Sequence, residues 1–137
     1  DGKVLARAIQ IALDDAKLKP QDIDYICLDG AGTKIGDISE TKAIKLVFNG
    51  LAQKIPASAP KSIYGNMLGA CGAVDVIATV LAMEHNVVPP TINLTNPDPE
   101  CDLDYVPNKS REKKINNAMI INRGRGGINA VLVLQKN

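Results

Sequence analysis

The chain has 137 residues, 45% of them apolar and 23% charged, with a net charge of +1, the balance of one soluble globular domain. Acids and bases mix along it, which excludes the basic face of a nucleic-acid binder; the densest basic stretch, Lys109 to Lys114, contains Glu112 and reads as a solvated turn or hairpin tip. With three Tyr, one Phe and no Trp, the core must be built from Ile, Val, Leu, Ala and Met.

Val4, Leu5, Ala8, Ile9, Ala12, Leu13 and Ala16 recur at helical spacing, and Pro20 closes that helix. Ile23 to Leu28 reads as a strand entering the loop Asp29-Gly30-Ala31-Gly32-Thr33. Asp37 or Ser39 caps a helix running to about Asn49, with Gly50 as its stop. Ile55 to Pro60 fits a short edge strand, and Val87 to Thr95 is held extended by Pro89-Pro90. Leu103 to Val106 is predicted as a brief strand. Ala118 to Ile121 and Ile128 to Leu134 are predicted as strands joined by Asn122-Arg123-Gly124-Arg125-Gly126-Gly127.

Asn66 to Asn86 reads as a helix apolar on nearly every side, with Asp75 and Glu84 as its only charges. Such a helix must be covered on every side. A membrane span competes with that reading, but Gly69, Gly72 and Asp75 interrupt the run. The remaining elements supply one sheet, which covers one face; something outside these residues is expected to cover the other. Cys27, Cys71 and Cys101 are odd in number and widely spaced, which fits neither a disulfide framework nor a zinc site, so reduced, inert thiols in a cytoplasmic protein are expected. The two Asn-x-Thr/Ser triplets, at Asn93 and Asn108, carry no weight without secretion. A first residue other than Met, directly before a helix, reads as a fragment or a processed piece.

Five stretches, in order and in register, resemble the C-terminal half of thiolase-fold β-ketoacyl synthases: Tyr25 to Glu40, Pro60 to Val74, Val88 to Asn96, Cys101 to Pro107 and Asn122 to Asn129. The resemblance implies an α/β fold, one half of a layered α-β-α-β-α architecture with one mixed sheet and a buried central helix. Residues 1–137 would form the C-terminal domain, and the half that carries the nucleophilic cysteine is not in this chain. The family performs decarboxylative Claisen condensation, in which two histidines donate to an oxygen that becomes negative. It implies no metal and no cofactor.

At the family's histidine positions this chain has Asp29 and Asn66. An ionised carboxylate only accepts hydrogen bonds and would repel an enolate, whereas an amide still donates. His85, the lone histidine, lies some 20 residues beyond Asn66, or ~30 Å along a helix, and cannot substitute. Asp37, Glu40 and Lys61 match retained family positions, and Lys61 is expected to bridge to Glu40 or Asp37. The glycines of the last loop, Gly124, Gly126 and Gly127, suit a turn, but Arg123 and Arg125 stand where active members carry aromatic residues, Arg125 at the gate. This loop resembles that of chain-length factors of type II polyketide synthases.

The implied function is a non-catalytic subunit that pairs with an active ketosynthase and helps form the acyl-chain tunnel. Its partners would be the N-terminal half of its own subunit, the ketosynthase and, through the complex, an acyl carrier protein. The alternative is a divergent condensing or decarboxylating enzyme using Asn66 with a cysteine in the other half. A free-standing binding module is the third reading, disfavoured because an uncovered apolar helix face aggregates.

Overall fold

The computed structural model describes residues 1–137. Helix α1 (Lys3–Ala16) sets Leu5, Ile9 and Leu13 on one buried stripe, and Val4 and Ile11 face outward. It opens at Gly2, whose φ of 76° suits glycine. A Cβ there would lie 2.7 Å from the Ala43 backbone nitrogen, so α1 starts where two backbones meet without a side chain between them.

Strand β1 (Tyr25–Cys27) is buried throughout. Helix α2 (Lys34–Phe48) buries Glu40, Thr41, Ala43, Ile44 and Phe48. Strand β2 (Ala57–Ser58), helix α3 (Lys61–Tyr64), helix α4 (Cys71–His85), β3 (Val87–Val88), β4 (Arg111–Glu112), β5 (Asn117–Arg123) and β6 (Asn129–Gln135) follow. The main sheet has the order β2-β1-β5-β6. β1 pairs in parallel with both β2 and β5, and β6 runs antiparallel to β5. Alternation in β1 and β5 then divides the core. Ile26, Met119 and Ile121 join α1 and α2 in one apolar cluster, while Tyr25, Cys27, Ala118 and Ile120 meet Ala82 and Met83 of α4 in another.

The mixed α/β class and the main helices and strands agree with the sequence reading; four local expectations do not. α2 starts at Lys34, because Thr33 rather than Asp37 or Ser39 is the cap: its hydroxyl accepts from the Gly36 N–H at 3.2 Å. Leu103 to Val106 forms no strand. Asp104 makes one bridge to Pro56, and Val106, at φ 51°, turns the backbone out of the extended region. Within the Lys109 to Lys114 stretch, Arg111 and Glu112 are exposed as expected, but they form β4, paired with β3, rather than a tip. The apolar helix begins at Cys71, five residues after Asn66, since Gly65 (φ 82°) and Leu68 (φ 53°) interrupt the approach.

Helix α4 is also covered on one side only. Cys71, Asp75, Thr79, Ala82 and Met83 are buried, whereas Ile77, Val80 and Leu81 are 59%, 47% and 48% exposed. Its length and composition would allow a membrane span. The ionisable side chain on its inner face and the sheet beneath it are those of a core helix.

The two faces of α1 give a direct test of this packing. Ile9→Ala should lower the unfolding free energy by ~2–5 kcal/mol, the usual cost of an aliphatic core truncation, and Ile11→Ala should stay within ~0.5 kcal/mol. Urea titrations followed by circular dichroism would read both.

Candidate functional site

Loops at the C-terminal ends of β1, β2 and β5 converge on one buried group, the carboxylate of Asp75, which α4 delivers to the sheet. Asp75 is 0% exposed, and so lone a charge in an apolar helix requires partners. Lys61 Nζ, from the first residue of α3, donates to its Oδ2 at 2.7 Å, and Asn122 Nδ2, from β5, donates to the same oxygen at 2.6 Å. The Tyr64 hydroxyl donates to Oδ1. Burial, then that bond to Asp75, pushes the Tyr64 hydroxyl up, so it remains a donor.

Lys61 is itself buried and faces a second carboxylate, Asp29 Oδ1, at 3.8 Å. Burial alone would pull its ammonium down. The hydrogen bond and charge of Asp75, then the charge of Asp29, outweigh it, and the group sits above the ordinary lysine value. The expected bridge from Lys61 to Glu40 or Asp37 is therefore wrong, because Asp75 occupies the cation directly. Glu40 is engaged elsewhere: Oε1 and Oε2 accept from the Asp29 and Gly30 N–H groups at 2.8 and 3.0 Å. Burial pushes its carboxyl up to about 7, against those two backbone donors. Asp37 lies in the first turn of α2, its carboxyl also raised by burial, against the Gly32 and Thr33 N–H groups.

Asp29 holds the β5–β6 turn. Its Oδ1 accepts from the Arg123 backbone N–H at 3.2 Å, while Arg123 Nη1 donates to the Gly36 carbonyl at 2.9 Å. The turn closes through Gly124 N–H to the Ile128 carbonyl at 2.8 Å. Gly126 and Gly127, at φ 80° and 83°, supply the left-handed backbone it needs. Arg125 at its tip is exposed and unpaired. Asn66, also exposed, accepts from the Leu68 N–H at 2.9 Å and the Cys71 thiol at 3.2 Å through Oδ1, leaving Nδ2 free to donate. A cavity of about 410 Å³ opens beside it, with Gly30, Ala31, Glu40, Lys61 and Tyr105 among its walls. Asp29 and Asn66 do not bond each other; Lys61 is the link between the two loops.

No cluster of His, Cys, Asp and Glu has the geometry of a metal centre. Cys27 is buried and its thiol is pushed up to about 12 by burial, so it is no nucleophile. Cys71 and Cys101 are likewise free thiols, and His85 ends α4 in solvent. Sequence reasoning missed Asp75, Tyr64 and Asn122. The signal was present: one carboxylate inside an otherwise apolar helix demands a cation, and Lys61 is the nearest in the preceding loop.

Residues 1–95 match the family described as Beta-ketoacyl synthase, C-terminal domain. The chain is 46% identical over 136 residues to a 3-oxoacyl-[acyl-carrier-protein] synthase 2 of Synechocystis, covering 99% of this chain and 33% of that protein. Among solved structures, it resembles a type II polyketide synthase acyl-carrier protein in complex with its ketosynthase bound to the hexaketide, AntDE:AntF, with a TM-score of 0.98 and 40% identity over 100% of this chain and 34% of the other. It also resembles the ishigamide ketosynthase/chain length factor, with a TM-score of 0.95 and 39% identity over 100% and 34%. The chain thus spans about a third of the length of the proteins it matches.

Two measurements probe the buried network. Lys61→Met leaves Asp75 buried without its cation and should cost ~3–5 kcal/mol in a urea titration; Lys61→Met combined with Asp75→Leu should recover part of that loss. Glu40 is a carboxyl raised in the folded state. Its contribution is full below about pH 4.5 and is lost as pH rises toward about 7. Stability should therefore fall across that window by up to ~3 kcal/mol from this group, and the slope should flatten in Glu40→Gln, whatever the fixed cost of the lost acceptor.

Proposed function

The chain belongs to the β-ketoacyl synthase family, and we propose that it serves there as part of a chain-length-factor-type subunit, non-catalytic itself, that completes an active ketosynthase. The observation that carries this reading is the Asp29 carboxylate. It stands at the family's first histidine position, 8% exposed, accepting from the Arg123 N–H and facing Lys61. Condensation requires donors aimed at a developing oxyanion, and a carboxylate there places negative charge against it. Lys61 does not offset this, since Asp75 already holds it.

In this reading the complex condenses malonyl units carried on an acyl carrier protein, by decarboxylation, in a type II polyketide or fatty-acid-like synthesis in the cytoplasm. The partner supplies the cysteine and both histidines. This chain, joined to the N-terminal half of its own subunit, helps wall the tunnel that holds the growing acyl chain, with Arg123 and Arg125 toward the acyl site. The uncovered face of α4, with Ile77, Val80 and Leu81, is where that second half packs. Leaving half of α4's apolar side chains wet, at ~1.5–3 kcal/mol for each large one, would forfeit stability comparable to that of a whole domain. Likeness to a ketosynthase/chain length factor and to a ketosynthase bound to its carrier protein supports the pairing.

A second reading rests on Asn66. Its free Nδ2 beside the cavity could polarise a thioester carbonyl in a divergent condensing or decarboxylating enzyme that has its own cysteine. One experiment separates the two. The complete subunit is copurified with a ketosynthase whose nucleophilic cysteine and both histidines are replaced by alanine, and malonyl-carrier protein is added. Loss of all condensation and decarboxylation supports the non-catalytic reading; turnover that survives those replacements and disappears in Asn66→Ala supports the second. Asp29→His with Asn66→His should add no cysteine-independent turnover, because the gate and the sub-ångström geometry are also missing.

A further inference from the structure

We propose that Asp29 and Arg123 are positioning residues of a closed hydrogen-bonded ring that fixes the β5–β6 turn against α2. The ring is continuous. The Asp29 N–H donates to Glu40 Oε1 at 2.8 Å, and Asp29 Oδ1 accepts from the Arg123 N–H at 3.2 Å. Arg123 Nη1 donates to the Gly36 carbonyl at 2.9 Å, and Gly36 and Glu40 are one helical turn apart on α2. Each residue uses its backbone for one link and its side chain for the other, so neither loop moves without breaking a bond in the other.

Surrounding contacts stiffen the ring. Gly30 N–H adds a second donor to Glu40 at 3.0 Å. A Cβ at Gly30 would lie 2.4 Å from the Ala59 Cβ, so this loop is already pressed against the end of β2. Asp29 is itself buried, with Lys61 3.8 Å away, and in such a setting a broken hydrogen bond is costly. A β5–β6 turn held from two sides behaves as a fixed wall. This inference concerns the chain's own loops and holds whichever subunit role it plays.

The test is amide exchange in the complete subunit, comparing wild type with Arg123→Ala, Asp29→Asn, Asp29→Ala and the Arg123→Ala, Asp29→Ala pair. Arg123→Ala should speed exchange about tenfold at Gly124 and also at Asp29 and Gly30, whose bonds to Glu40 it does not touch. The double variant should exchange no faster than the faster single one, because a ring opens only once. Asp29→Asn keeps the acceptor and should stay near wild type, and unchanged protection at Ile26 and Met119 verifies that the sheet is intact. The proposal is overturned if Arg123→Ala disturbs only its own turn, if the two effects multiply, or if Asp29→Asn loosens the loops as much as Asp29→Ala. Should Asp29→Ala fail to fold, the spread of the Arg123→Ala effect to Asp29 and Gly30 decides alone.

Discussion

The burial of one carboxylate organises this fold. Asp75 reaches the sheet on an apolar helix and cannot stay charged there without donors. Its three partners come from α3 and β5: Lys61, Tyr64 and Asn122. Satisfying that one group therefore fixes the approach of α3 to α4 and the height of α4 over β5. Replacing it by a well-packed apolar group could be tolerated energetically, but removing Lys61 alone could not, since an unpaired buried charge is the costlier defect. The same lysine also faces Asp29, which ties the β1–α2 loop to this centre.

Asp29 is thus a working part of this network. Its carboxylate turns inward to an amide of β5 and faces Lys61. The carboxylate thus binds the chain's own loops, one link to β5 and one toward α3.

Much of this was legible in the sequence, and the failures have physical causes. α1 and the two long strands were readable because their apolar residues repeat over several periods, and Leu5, Ile9 and Leu13 do lie on one buried stripe. The start of α2 was misplaced because Thr33, Asp37 and Ser39 all have capping chemistry, and only the position of the Gly36 N–H selects Thr33. The partner of Lys61 was misassigned because Glu40 is adjacent in motif but spends both oxygens on backbone amides, a bond that side-chain charge alone does not announce. The one-sided helix was anticipated from composition, since no polar face separated Ile77, Val80 and Leu81 from the core.

The sheet order has a kinetic consequence. β1 lies between β2 and β5, and Ile26 pairs with both Ala57 and Met119. The second pairing joins residues more than ninety positions apart, across a parallel ladder that no hairpin can nucleate. During synthesis β1 and β2 are made before β5, and one edge of β1 stays open until β5 leaves the ribosome. Contacts of such long range are slow to form, and an open apolar strand invites pairing with the wrong chain meanwhile. Folding of this sheet is therefore gated by β5, and its most vulnerable interval ends only when β5 docks.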